Sequence, residues 1–279
     1  MNVFEEKKRK QEAINEAMKN IKHVIAVASG KGGVGKSTVA ANIALSLAKK
    51  GYAVALADAD IYGPSVPTLF NIDNEQVMAQ EIDGKQYMLP FEKFGIKLMS
   101  VGFFVDKTQP MLWRGPMAAN TLTQMLTETY WGGLDFMILD MPPGTGDIQL
   151  SLVQQFSVSG SVFVCTPQQL AVADVRRAVN MFTNDQIAVP VLGLVENMAY
   201  FTPKELPNNK YYIFGKSGAE QLAKELDMEL LAQIPISMDI SETNDSGNPI
   251  SMDFASPEAQ TFMELADKIA MKTIKNDKI

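Results

Sequence analysis

The sequence predicts an α/β protein in three layers, a mostly parallel sheet flanked by helices. Three observations predict it. Short β-rich runs alternate with longer helical ones, as βαβ units do. A glycine-rich turn joins an early strand to a helix, and 279 residues at 46% apolar composition are enough to bury one large core. The expected organisation is one domain over 21–279, preceded by a charged helical extension over 1–20.

The elements follow in order. Residues 1–20 are charge-dense around Glu5, Glu6, Lys7, Lys8, Arg9 and Lys10 and rich in helix formers, which predicts a solvated helix or the remnant of a linker. His23 to Ala28 is a buried strand, followed by the glycine-rich turn and a helix from Ser37 to Lys50 that stops at Gly51. Val54 to Ala57 is the next strand, ending in Asp58-Ala59-Asp60, and Tyr62-Gly63-Pro64-Ser65 opens a loop. Asp83-Gly84 between β-prone flanks predicts a peripheral hairpin. Ile96 to Val101 resumes the sheet, and a helix from about Met117 to Thr129 leads to the strand Phe136 to Leu139. Ser161 to Cys165, Val191 to Val195 and Glu229 to Ile234 supply further strands. Phe262, Leu265, Ala266 and Ile269 then mark an amphipathic C-terminal helix.

Composition excludes some classes of function. A net charge of −7 argues against a general nucleic-acid or anionic-membrane surface, because both need a positive field at close range. The single cysteine, Cys165, permits no internal disulfide and is compatible with a reducing compartment. The longest apolar runs are strand-sized and the N-terminus lacks the apolar stretch of a signal peptide, so a cytoplasmic protein is expected.

Gly30-Lys31-Gly32-Gly33-Val34-Gly35-Lys36-Ser37, with Thr38 following, fits G-x-x-x-x-G-K-[ST] and lies between a strand and a helix, as a phosphate loop must. The glycines let successive N–H groups point inward at phosphate oxygens, and the helix N-terminus adds partial positive charge. Lys36 is placed to reach the β- and γ-phosphates and Ser37 to bind magnesium. This motif predicts a P-loop NTPase fold that binds ATP with magnesium. Asp140 ends an apolar strand and is the expected outer magnesium ligand. The Pro- and Gly-rich stretch Met141 to Asp147 after it is a candidate switch. Asp58 and Asp60 end the strand after the loop helix, where a carboxylate can orient the attacking water or hold magnesium. The alternative for both is turn capping. No N-K-x-D guanine reader is present, which favours ATP, and Glu196-Asn197, just past a strand, offers either an amide to a purine edge or ordinary turn chemistry.

The additional lysine in Lys31-Gly32-Gly33-Val34-Gly35-Lys36-Ser37-Thr38 resembles the deviant phosphate loop of the ParA/MinD and nitrogenase-iron-protein group. Asp58 to Ser65, Trp113-Arg114-Gly115-Pro116-Met117 and Asp140 to Asp147 narrow the match. With Thr166-Pro167-Gln168, Glu196-Asn197-Met198 and Asp245 to Pro249 in the same order, the chain resembles the Mrp/ApbC-type ATPases, iron–sulfur cluster carriers, from about residue 21 to 270. The resemblance implies a homodimer in which Lys31 reaches the partner's ATP. It also makes Asp60 the first-switch carboxylate, Asn197 the adenine contact and Pro235 part of the adenine pocket wall, and it makes iron–sulfur apoproteins or assembly factors the clients. The family places a C-x-x-C pair shortly after Glu-Asn-Met, so that two subunits hold a bridging cluster through four thiolates. Here the window Tyr200 to Pro207 has no cysteine, so no iron–sulfur ligand is identifiable and a cluster rests on the resemblance alone.

Two other functions compete. One is a positioning switch attached to membrane or DNA, for which the tail interleaves Lys268, Lys272, Lys275 and Lys278 with Glu258, Glu264, Asp267 and Asp277. The other is an ATP-gated scaffold gripping a client through Tyr200-Phe201 and Tyr211 to Phe214.

Overall fold

The computed structural model describes residues 3–104 and 115–276. Helix α1 (Val3–Met18) leads into β1 (Ile21–Ser29), α2 (Lys36–Lys49), β2 (Val54–Asp58) and the one-turn α3 (Val66–Leu69). A small hairpin, β3 (Ala79–Ile82) and β4 (Lys85–Met88), precedes β5 (Phe91–Lys93) and β6 (Ile96–Ser100). Then come α4 (Gly115–Glu128), β7 (Leu134–Asp140), α5 (Asp147–Gln155), β8 (Gly160–Cys165), α6 (Gln169–Phe182) and β9 (Val191–Glu196). Helix α7 (Gly218–Glu225), β10 (Leu230–Gln233), α8 (Met238–Asp245) and α9 (Pro257–Asn276) complete the chain.

Eight strands form one sheet in the order β10-β9-β8-β1-β7-β2-β6-β5, parallel throughout except for β5 against β6. Strands buried on both faces read as continuous apolar runs, and alternate residues feed two cores. Ala26, Ala28, Met137, Leu139 and Phe163 face the layer of α1, α4, α5, α6 and α7. Ile25, Val27, Ile138, Val162 and Val164 face α2 and α9, where Phe262, Leu265, Ala266 and Ile269 are fully buried as their spacing predicts. Strand β1 sits at the centre between β7 and β8, so the turn after it opens at the carboxyl edge beside the end of β7. In open parallel sheets this edge, at the reversal of strand order, is where ligands bind. Among the described residues no helix is long and apolar enough to cross a membrane.

The predicted hairpin is present, with Asp83 at φ 52° and Gly84 at φ 76° in the two left-handed positions of a type I′ turn. Strand β5 was not expected. It is joined to β6 through Phe94 (φ 53°) and Gly95 (φ 78°), and a phenylalanine in the left-handed region is no turn signal. The N-terminal extension is helical as expected, but it is more than a solvated segment. Ile14 is buried in the core shared with α4 and α5, and Gln11 Nε2 donates to the Gln155 carbonyl at 2.9 Å. Trp113 and Arg114 of the Trp-Arg-Gly-Pro-Met stretch lie outside the described residues, and Gly115 opens α4.

Ile14 is the buried apolar side chain of α1, with Met18 packed beside the same core, so Ile14→Ala is expected to lower the unfolding free energy by about 2 kcal/mol through cavity formation. Urea denaturation checks this. An unchanged midpoint would mean that α1 is not docked in solution.

Candidate functional site

The phosphate loop runs from the end of β1 into α2. Gly35 has φ 80°, and a Cβ there would collide with the Asn197 side-chain amide. Gly30 abuts the backbone of Asp174 and Val175 in α6 in the same way. Only glycine permits both approaches. A cavity of about 440 Å³ opens over the loop, lined by Gly32, Gly33, Lys36, Ser37, Asp60 and Pro143 among others, with half-buried Lys31 at its wall. The dipole of α2 points its positive end into this cavity.

Lys36 is 6% exposed, and its Nζ donates to Asp140 Oδ1 at 2.6 Å while lying 3.4 Å from Asp60 Oδ2 and from Ser37 Oγ. Burial works to lower the Lys36 pKa, but Asp140 and Asp60 outweigh it and hold the ammonium above its ordinary value. Asp60 Oδ1 accepts the backbone N–H groups of Tyr62 and Gly63, both at 3.2 Å, which aims this carboxylate at the cavity. Asp140 is fully buried and its Oδ2 has no hydrogen-bond partner.

Asp58, expected as a magnesium ligand, takes a different position. It is fully buried, does not line the cavity, and spends both oxygens on the protein. Oδ1 accepts Asp60 N at 3.1 Å. Oδ2 accepts Ser65 N and Val66 N, both at 3.1 Å, and Ser100 Oγ at 2.9 Å. Burial, reinforced by the neighbouring Asp140, pushes its carboxyl up to about 7. Asp60 and Asp140 thus place two buried carboxylates on one ammonium, and the unpartnered Asp140 Oδ2 leaves an acceptor suited to a divalent cation. No group of three His, Cys, Asp or Glu side chains among the described residues forms a metal cage. This donor set fits magnesium, which needs a hydroxyl, a carboxylate, waters and substrate phosphates rather than an all-protein cage.

The remaining expected residues divide. Asn197 is buried beneath the loop and its Nδ2 donates to the Val34 carbonyl at 2.8 Å, so it braces the cradle. Thr38 is tied to α8 by Asn244, whose Nδ2 donates to Thr38 Oγ1 at 3.1 Å. Pro235 lines a second cavity, of about 490 Å³, with Tyr200, Phe201, Lys210 and Met238. The candidate switch after β7 is bound to the loop strand, Met141 N donating to Val27 O at 3.0 Å and Gly144 N to Ser29 O at 2.9 Å. Sequence reasoning missed Ser100, whose only signal is a hydroxyl at the carboxyl end of a predicted strand. Cys165 is fully buried in the core, and burial, together with Glu196, pushes its thiol up to about 12.

The sequence profile of the NUBPL iron-transfer P-loop NTPases, of the ParA group, matches residues 20–270. The chain belongs to this family. It is 48% identical over 249 residues to the iron-sulfur cluster carrier protein of Aquifex aeolicus, an alignment covering 88% of this chain and 66% of that protein. It is 43% identical to the iron-sulfur cluster transfer protein NUBPL of Dictyostelium discoideum, over 96% of this chain and 83% of that one. A solved nucleotide-binding protein from Archaeoglobus fulgidus, in complex with ADP, superposes with a TM-score of 0.76 at 37% identity, covering 91% of this chain and 96% of that one. The cell division ATPase MinD of Pyrococcus furiosus shares the fold, with a TM-score of 0.64 at 19% identity over 90% of this chain and 99% of that one. In this NUBPL-type NTPase the glycine-rich loop is held at close approach at Gly30 by α6 and at Gly35 by Asn197.

Two outcomes follow. Gly35→Ala should abolish nucleotide binding in a fluorescent-nucleotide titration, because the new methyl group displaces the Asn197 brace. Cys165 should resist Ellman's reagent in the folded protein and react at the rate of a free thiol after unfolding in guanidinium. Rapid labelling of the native state would contradict the buried placement.

Proposed function

We propose that this NUBPL-type NTPase binds ATP with magnesium and hydrolyses it to ADP and phosphate as a homodimer, in the service of iron–sulfur cluster handling for apoprotein clients. The observation that carries the reading is the buried Lys36 ammonium, held between Asp140 and Asp60 at the mouth of the glycine cradle. The amides of Gly30 to Ser37 take the phosphate oxygens and Lys36 turns from the carboxylates to the β- and γ-phosphates. Asp60, fixed by two backbone donors on one oxygen, presents the other to orient the attacking water. Magnesium, when bound, neutralises charge on the phosphate oxygens, and Ser37 with Asp140 would hold it. Asp58 is assigned to hold the Asp60 loop. Lys31, at the cavity wall, stabilises transferring charge in the partner subunit's site. Asn197 and Pro235 border the base.

The names of the Aquifex and Dictyostelium relatives support the cluster role. The residues present do not fit a cluster held by this chain itself. Its one cysteine is buried and protonated, so a cluster enters as cargo whose thiolates come from the client or another protein. The missing pair also favours a second reading, a dimeric ATP-gated scaffold or MinD-like positioning switch that binds no cluster. The net charge of −7 argues against DNA or anionic lipid as its target, and the single cysteine is consistent with the cytoplasm.

Lys36→Ala is expected to abolish ATP turnover in a phosphate-release assay. Lys31→Ala should leave nucleotide binding by the monomer intact while slowing hydrolysis by about 10²- to 10³-fold. Normal hydrolysis by Lys31→Ala would remove the trans assignment. Protein purified anaerobically should contain iron and acid-labile sulfide well below one cluster per dimer. Stoichiometric contents, with charge-transfer absorbance, would show that ligands other than a C-x-x-C pair hold a cluster.

A further inference from the structure

We propose that Ser100 is a positioning residue for the nucleotide reaction, its hydroxyl orienting the Asp58 carboxylate that anchors both ends of the loop presenting Asp60. The inference rests on the hydrolysis reading above and names a residue outside the phosphate loop and its acidic partners.

Ser100 is fully buried at the carboxyl end of β6, directly across from Asp58 in the β2–β6 register. A serine hydroxyl at a strand end commonly bonds its local backbone. Here Oγ donates across the sheet to Asp58 Oδ2 at 2.9 Å and accepts Gly102 N at 3.0 Å. The same Asp58 oxygen accepts Ser65 N and Val66 N, where the loop ends and α3 begins, while the other oxygen accepts Asp60 N, where the loop starts. One carboxylate therefore closes the segment 59–64 into a ring, and among the described residues Ser100 is the side chain hydrogen-bonded to it. The exit of β6 is packed against that ring as well. A Cβ built at Gly102 would lie 2.9 Å from the Pro64 Cβ, so the turn after Ser100 and the end of the loop touch.

The chain of contacts then runs outward to the cavity. Asp60, placed by this ring, takes Tyr62 N and Gly63 N on one oxygen and faces Lys36 at 3.4 Å with the other. Without the Ser100 hydroxyl, Asp58 keeps its three backbone donors within the loop, two on Oδ2 and one on Oδ1, and loses the hydrogen bond that fixes the carboxylate against β6. Displacing a water-orienting group by a fraction of an ångström costs turnover, whereas the grip on the phosphates belongs to Gly30 to Ser37, which Ser100 does not touch.

Steady-state ATP hydrolysis by wild type, Ser100→Ala, Ser100→Thr and Lys36→Ala tests the assignment, with thermal melts on each. Ser100→Ala is expected to lower kcat by about tenfold with KM for ATP changed by less than about twofold, a split that general destabilisation does not produce. Ser100→Thr keeps the hydroxyl and should recover most of the lost kcat. Wild-type kcat in Ser100→Ala, a parallel loss in the alanine and threonine variants, or a loss expressed in KM would each overturn the assignment. Wild-type protein no more active than Lys36→Ala would instead overturn the hydrolysis reading itself.

Discussion

The buried ion pair between Lys36 and Asp140 is the constraint on which the site depends. Taking two charges out of water costs several kcal/mol per ion after relaxation, and only close geometry with further partners offsets it. The fold supplies that geometry from three directions. Strand β1 delivers Lys36 through the glycine turn, β7 ends on Asp140, and β2 delivers Asp60 two residues beyond its last pairing. Because β1 and β7 pair in register through Val27 and Asp140, and β2 and β7 through Asp58 and Asp140, a slip of one residue in either ladder would turn these carboxylates to the other face. The apolar runs that build the sheet thus set the positions of its charges.

Close packing around the loop that carries Lys36 also leaves no room for a side chain at Gly30 or Gly35. The cradle is clamped from both sides, by the α6 backbone at Gly30 and by Asn197 at Gly35. Asn197 in turn is held by its own N–H on the Cys165 carbonyl at 2.8 Å, so the carboxyl ends of β8 and β9 support the loop that leaves β1. A phosphate site built this way is organised before any ligand arrives, and the ordering cost has already been met by folding.

Much of this was legible in the sequence because it is local. The strand, glycine turn and helix of the phosphate loop, the carboxylate closing β7 and the Asp83-Gly84 hairpin are each encoded within about a dozen residues. What could not be read depends on distant partners or unusual backbone. Strand β5 is hidden by Phe94 in the left-handed region. The docking of α1 is carried by Ile14 with Met18 near the end of a charged helix, too little for a periodic signal. Asp58 and Asp60 look equivalent in an Asp-Ala-Asp stretch, and only Ser100, 42 positions away, together with the backbone of residues 65 and 66, separates the anchored carboxylate from the presented one. Pro235 falls in a cavity formed with the 200–210 segment, whose path no local pattern specifies.

The cysteine content bears on how such a site could serve cluster chemistry. A thiol must ionise to ligate iron, and Cys165, the last residue of β8, is fully buried beside Glu196 of β9, with burial and Glu196 both opposing its charge. Its carbonyl also accepts the Asn197 N–H, so Cys165 is part of the support of the brace under Gly35. The segment 200–212 is likewise tied into the domain: Phe201 N donates to Tyr211 O, Tyr211 N to Phe201 O and Ile236 N to Tyr200 O. Among the described residues, neither Cys165 nor this segment therefore presents a thiolate at the surface.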